Sequence, residues 1–129
     1  MAGKGNMSRI LIADDSRFQV ELLSKALRES GFEVTSALDA LQAWMLALRI
    51  LPDAIVLDIN MPAGSGLEVL RRLKTSSKTQ SIPVIVVSGN TEPSTEPMAR
   101  HLGAAEFLRK PVDTSQLCGT LSRLLSPVR

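Results

Sequence analysis

The 129-residue chain fits one domain with a core of its own rather than a small stapled scaffold, and 44% hydrophobic with 22% charged residues is the balance of a globular domain. Against 15 basic residues stand 13 acidic ones, so a pI of about 9.0 reflects near balance, with a formal charge of +2. The aromatics Phe18, Phe32, Trp44 and Phe107 are not interleaved with basic residues, whose one cluster (Arg71, Arg72, Lys74, Lys78) reads as a solvated helix face, so direct nucleic-acid binding is not expected.

Residues 1–8 are small and polar and read as a disordered N-terminal segment. Arg9 to Ala13 is a continuously apolar strand that ends in Asp14-Asp15. Ser16 with Gln19 has capping-box spacing and opens a helix carrying Leu22, Leu23, Ala26 and Leu27, which stops at Gly31. Residues 32–36 alternate apolar and polar, as a half-exposed strand does. Asp39 with Gln42 opens a second helix, with Ala43, Leu46, Ala47 and Ile50 inward, which cannot continue past Pro52. Ala54 to Leu57 is a second continuously apolar strand, ending in Asp58 and followed by Met61-Pro62 and the loop Ala63 to Gly66. Ser65 with Glu68 opens a third helix carrying Leu67, Leu70 and Leu73. A polar loop from Thr75 to Ser81 leads into the apolar strand 84–87, which ends in Ser88.

The segment Thr91 to Gly103 breaks the pattern. It carries Pro93 and Pro97 and has no capping pair, so its helix should start near Thr95 or Glu96 and be short, the least stable of the five. A ragged loop and a functional role are both open for it. Residues 105–109 form the last strand, Lys110-Pro111 follows, and Asp113 with Gln116 opens a helix carrying Leu117, Leu121, Leu124 and Leu125, which ends before Pro127.

Five strands alternating with five helices predict an α/β domain: a doubly wound parallel sheet with helices on both faces. The continuously apolar strands 10–13, 54–57 and 84–87 belong in the middle, and the interrupted strands 32–36 and 105–109 at the edges, which is the order 2-1-3-4-5. The domain spans residues 9–126, with 127–129 a C-terminal tail. One cysteine, Cys118, allows no internal disulfide, no secretory signal is visible, and no apolar run is long enough to cross a membrane, so a cytoplasmic location without membrane association is expected.

In a parallel sheet the strand ends gather at one edge, which brings together Asp14 and Asp15, Asp58, Ser88 and Lys110. Two like charges about 4 Å apart repel by roughly 4 kcal/mol at an effective dielectric near 20. Lys110 offsets one carboxylate, and a divalent cation would neutralise the other two. With hard oxygens and neither histidine nor thiolate nearby, Mg2+ is favoured, with Mn2+ as the substitute. A carboxylate beside such a metal can accept a phosphoryl group as an acyl phosphate, while Ser88 and Lys110 contact the phosphoryl oxygens. Singly, each residue has a structural reading: turn former, cap or surface cation. Their joint placement at the strand ends outweighs those readings.

The acidic pair Asp14-Asp15, the pattern Asp58-x-x-Met61-Pro62-x-x-x-Gly66, Ser88-Gly89 after an apolar strand, and Lys110-Pro111 occur in this order over residues 8–126. In these motifs the chain resembles the receiver domains of two-component response regulators, of the chemotaxis-regulator kind, which have a flavodoxin-like fold. The resemblance implies a phosphorylation-dependent switch, not an enzyme with a separate substrate, that catalyses only its own phosphorylation and dephosphorylation. Asp58 would accept the phosphoryl group from a histidine kinase or histidine phosphotransfer protein. Asp15, Asp58 and the backbone carbonyl of Asn60 would ligate magnesium, with Asp14 acting directly or through water. Ser88 and Phe107 would form the switch, Phe107 packing inward as Ser88 moves toward the phosphate. Ser stands where Thr is commoner, and Phe where many relatives carry Tyr. Asn60 and Asn90 resemble the variable positions that affect phosphate lifetime.

The surface around residues 91–125 would change on phosphorylation, and a downstream protein or effector domain would read the face made by the fourth helix, fifth strand and fifth helix. Family behaviour adds a phosphorylation-dependent dimer through that face as an option. Phe18, just past the acidic pair, lies where relatives dock the phosphodonor. His101, Cys118 and Trp44 read as structural. Two other classes stand as alternatives. One is a small phosphohydrolase of the haloacid-dehalogenase type, disfavoured because Asn60 replaces its second acid. The other is a flavin-binding relative, disfavoured because Asp14-Asp15 would repel its phosphate.

Overall fold

In the computed structural model residues 8–61 and 66–126 are described. The expected N-terminal segment except Ser8, the loop residues 62–65 with the Ser65 cap, and the tail 127–129 lie outside the described residues.

The strands are β1 (Arg9–Ala13), β2 (Glu33–Ala37), β3 (Ala54–Asp58), β4 (Val84–Ser88) and β5 (Glu106–Arg109). All adjacent pairs are parallel, in the order β2-β1-β3-β4-β5. The helices are α1 (Arg17–Glu29), α2 (Ala40–Ile50), α3 (Gly66–Thr75), α4 (Thr95–His101) and α5 (Thr114–Leu125). The two edge strands are the ones whose sequences carry polar interruptions. Glu33 and Ser36 of β2 are exposed, whereas every residue of β3 and β4 is buried. β2 and β5 each begin one residue later than the sequence pattern predicts.

Alternate side chains of each central strand enter opposite layers, which is why those strands need to be apolar at every position. Leu11, Ile55, Leu57, Val84 and Val86 pack with α2, α3 and α4 on one face, together with Phe107. Ile10, Ile12, Val56, Ile85 and Val87 pack with α1 and α5 on the other. Each such side chain contributes about 1.5–3 kcal/mol by leaving water.

The cap signals act as read. The side chains of Ser16, Asp39 and Asp113 accept the backbone N–H of Gln19, Gln42 and Gln116, and Gln42 in turn accepts the N–H of Leu38 at 2.7 Å. α4 is the exception: Ser94 at its N-terminus is in helical conformation and makes no side-chain cap bond. Its seven residues start at Thr95, within the predicted range.

Some inward positions differ from the expectation. α1 turns Val20, Leu23, Ser24 and Leu27 to the core. Leu22, about 100° round the helix from Leu23, is exposed and shares a stripe with exposed Phe18. Leu46, Ile50, Leu124 and Leu125 are half-buried rather than buried, because they sit at the margins of their helix faces.

Two glycines hold close approaches. A Cβ on Gly66 would lie 2.3 Å from Ile59 Cα and 2.7 Å from the Asp58 carbonyl oxygen, so only glycine lets α3 start against the end of β3. Gly103, which ends α4 with φ of 111°, lies against the Lys74 side chain. Lys74 Nζ donates to the carbonyls of Gln80 (3.1 Å) and Ile82 (2.6 Å), fixing the loop between α3 and β4, and partial burial lowers its pKa. Thr79 completes that loop by donating to the Leu73 carbonyl at 2.7 Å.

Candidate functional site

With the strands parallel, Asp14 follows β1 directly, Asp58 ends β3, Ser88 ends β4, and Lys110 follows β5, all at the carboxyl edge of the sheet. Asp14 is 2% and Asp58 3% exposed, so neither is a solvated surface acid, while Asp15 is exposed. One carboxylate oxygen from each of Asp14, Asp15 and Asp58 lies within 4.8 Å of the others.

The two buried carboxylates are each oriented by the backbone just beyond them. Asp14 Oδ1 accepts the Ser16 N–H and Asp58 Oδ1 accepts the Asn60 N–H, both at 2.9 Å. These local turns leave the second oxygens facing Lys110, whose Nζ lies 3.2 Å from Asp14 Oδ2 and 3.1 Å from Asp58 Oδ2. Burial raises the pKa of Asp14, and the Asp58 charge adds to that. The Ser16 N–H and Lys110 offset only part of it. For Lys110, burial opposes the charged form, but the hydrogen bond and charge of Asp58 and the charge of Asp14 outweigh it and raise the pKa. The Lys110-Pro111 peptide bond is cis.

Beside the acidic group stands a second polar unit. The fully buried Ser88 hydroxyl donates to Asn60 Oδ1 at 3.0 Å and accepts the Asn90 N–H at 2.9 Å. Asn90 Oδ1 accepts the Glu92 N–H at 2.7 Å. Asn60, Ser88 and Asn90 are thus one hydrogen-bonded group that leads from the end of β3 into the β4–α4 loop. Phe107 is apart from it, only 7% exposed, in the core layer shared with Ala99 of α4.

The structure therefore brings together Asp14, Asp15, Asp58 and Lys110, and joins Ser88 to Asn60 and Asn90. Phe18 is 75% exposed on the first turns of α1. His101 is exposed at the end of α4, Trp44 packs at the margin of the core, and Cys118 accepts a hydrogen bond from Ser30 Oγ between α1 and α5. The Ser88–Asn60 bond was not legible in the sequence, since the two are 28 positions apart and only the register of β3 against β4 brings them together. Nor was the position of Arg109, whose guanidinium donates to the Asn90 carbonyl at 3.0 Å.

The donor set is three hard carboxylates, which hold three negative charges against the one positive charge of Lys110. Such a set suits a small divalent cation, which would offset the cost of burying the Asp14 charge, the main cause of its raised pKa, and the lesser repulsion from Asp58. No buried side-chain nitrogen or oxygen among the described residues lacks a partner.

The family model described as response regulator receiver domain matches residues 10–122. The PilH protein of Pseudomonas aeruginosa is 33% identical over 120 residues, covering 93% of this chain and 99% of that one. The RcaC protein of Microchaete diplosiphon is 34% identical over 122 residues, but the chain spans only 19% of its length, and 24% of the response regulator PleD of Caulobacter vibrioides. Among solved structures, the chemotaxis response regulator CheY4 of Vibrio cholerae superposes with a TM-score of 0.84 at 30% identity, over 92% of this chain and 98% of that one. The receiver domain of a sensor histidine kinase from Pseudomonas aeruginosa, solved with a magnesium ion coordinated in its active-site cleft, gives 0.86 at 25% identity, over 94% and 99%. Strand order, carboxyl-edge chemistry and these likenesses agree, and the chain belongs to the response regulator receiver domain family of two-component signalling.

Proposed function

We propose that Asp58 is the phosphoacceptor of a switch spanning residues 9–126, and that a histidine kinase or histidine phosphotransfer protein is its donor. The observation that carries this is a buried carboxylate held in one orientation by the Asn60 N–H, within contact of an ammonium and beside two further acids. Asp14, Asp15, Asp58 and the Asn60 carbonyl would hold Mg2+, or Mn2+ in its place, which supplies positive charge to the transferring phosphoryl group. In the transfer an Asp58 oxygen forms a bond to phosphorus as the bond from phosphorus to the donor nitrogen breaks, and the imidazole leaves with its electron pair. Lys110 follows the charge from carboxylate to phosphoryl oxygen without leaving its place.

Ser88 is the group that must choose. Its hydroxyl proton is engaged with Asn60, so donation to a phosphoryl oxygen requires that bond to break, which disturbs Asn60 and Asn90 together. Both asparagines thereby border the phosphoryl position and bear on its lifetime. Phe107, buried beneath α4, is the packing half of the switch. The domain's own catalysis is confined to gaining and losing this phosphoryl group.

The apolar stripe of Phe18 and Leu22 beside the acidic edge fits a docking surface for the phosphodonor. The face of α4, β5 and α5 fits a downstream protein, an effector domain or a second phosphorylated copy. No helix among the described residues is long and apolar enough to cross a membrane. A cytoplasmic location goes with this reading.

The test is direct. With magnesium and acetyl phosphate the protein should gain one hydroxylamine-labile phosphoryl group, and Asp58→Asn should gain none. Undiminished labelling of that variant would remove Asp58 from the role.

A further inference from the structure

The path from the phosphoacceptor edge to α4 runs from Ser88 through Asn90 to Glu96, and one side chain outside the acidic site touches most of it. Arg109 is the last residue of β5 and the register partner of Ser88. Its Nη1 donates to the Asn90 carbonyl at 3.0 Å, its Nη2 lies 4.0 Å from Glu96 Oε1 in the first turn of α4, and its guanidinium carbon is 5.3 Å from the centroid of the Phe107 ring. Phe107 and Arg109 are two apart on a strand, so they share a face, the one that carries α4.

We propose that Arg109 is a positioning residue that couples the Asp58 site to α4, by holding the Asn90 carbonyl, Glu96 and the Phe107 ring in one arrangement. This rests on the phosphoacceptor reading of Asp58. The two peptide groups on either side of Asn90 are held separately, the first by Ser88 Oγ accepting its N–H and the second by Arg109 donating to its carbonyl. When Ser88 gives up Asn60 to donate to a phosphoryl oxygen, the shift of its Oγ draws on the Asn90 N–H it accepts, and Arg109 carries the resulting displacement of the Asn90 carbonyl to α4.

At this end of the helix Ser94 makes no side-chain cap bond, and the Thr95 N–H donates only to the Glu92 carbonyl of the same loop at 3.1 Å. Glu96 passes the contact on: Arg100 bonds it at 3.1 Å and pairs with Glu106 at 3.5 Å, and Glu106 pairs with Arg123 of α5 at 2.9 Å. The Arg109–Glu96 pair is long and exposed, so the hydrogen bond to Asn90 and the stacking on Phe107 carry more of the hold than the ion pair does. Arginine suits this place because one planar fork serves a carbonyl, a carboxylate and a ring face. Lysine could serve one of them at a time.

The experiment is residue-resolved amide exchange on wild type, Arg109→Met and Arg109→Lys, before and after acetyl phosphate with magnesium, alongside the rate of labelling. Before labelling, amides of residues 91–98 should exchange about threefold faster in Arg109→Met than in wild type, with β1 and β3 unchanged. Labelling of Asp58 should stay within about twofold of wild type, while the change that labelling produces in α4 falls to less than about half. Arg109→Lys should restore only part of it. If labelled wild type and Arg109→Met show the same α4 response, or if labelling and response fall in parallel, Arg109 is not the coupling residue. If wild type itself takes no label, the phosphoacceptor reading fails, and the coupling fails with it.

Discussion

Lys110 Nζ lies 3.1 Å from Asp58 Oδ2, and the same ammonium is the only protein cation within salt-bridge distance of Asp58 or Asp14 among the described residues. Removing it leaves two buried carboxylates facing each other. Lys110→Met should therefore lower the stability of the metal-free protein by about 1–2 kcal/mol, since the lysine is itself partly exposed. Saturating magnesium should recover most of that loss. Urea denaturation with and without magnesium checks this, and an equal loss in both would mean that the ammonium and the cation do not share a task.

The pH dependence follows from the raised pKa of Asp14. A group whose folded pKa lies above its unfolded value adds stability below the unfolded pKa of 3.8, and that stability is lost as pH rises through the folded value. At neutral pH the ionised Asp14 is thus a burden on the metal-free fold. Asp14→Asn should stabilise it at pH 7 by about 1 kcal/mol, or about 3–5 °C in Tm, with the gain shrinking on acidification. Lys110 obeys the same sign at the other end of the scale. Its contribution is present below 10.5 and disappears as pH rises through its raised value, so the alkaline loss of stability should be shallower in Lys110→Met. Thermal melts across pH measure both slopes.

Gly66→Ala tests the support beneath the site. The added methyl would meet backbone atoms of Asp58 and Ile59, which cannot rotate away. A destabilisation of about 2–3 kcal/mol is expected in urea, together with weaker magnesium binding, because the Asp58 carbonyl lies within that clash. Unchanged magnesium affinity in a destabilised variant would show that α3 supports the fold but not the acidic group.

Ser88→Ala should cost about 1 kcal/mol, as it strips the half-buried Asn90 N–H of its acceptor. Asp58 should still be labelled by acetyl phosphate, but the change in amide exchange over residues 91–102 should be much reduced. A full response in the alanine variant would leave the hydroxyl with a structural role alone.

Much of this architecture was legible in the sequence, and the reason is local. Each central strand must be apolar on both faces, and Ser16, Asp39 and Asp113 bond atoms three residues away, so both signals are written within short windows. The strand ends then placed Asp14, Asp58 and Lys110 on one edge by topology alone. What was not legible depends on register and rotation between elements. The Ser88–Asn60 bond and the triple contact of Arg109 join distant positions. Leu22 failed the helix-face reading because Val20, Leu23 and Leu27 already fill the inward arc of α1.

The closeness of Gly103 to Lys74 has a mechanical consequence. The far end of α4 rests on a side chain whose ammonium is tied to the Gln80 and Ile82 carbonyls, whereas its near end has no cap and faces the acidic edge. A short rod seated at one end and held at the other through the exposed Arg109–Glu96 pair swings rather than slides. Gly103 is then the fulcrum, and the widest arc belongs to Ser94, Thr95 and Glu96.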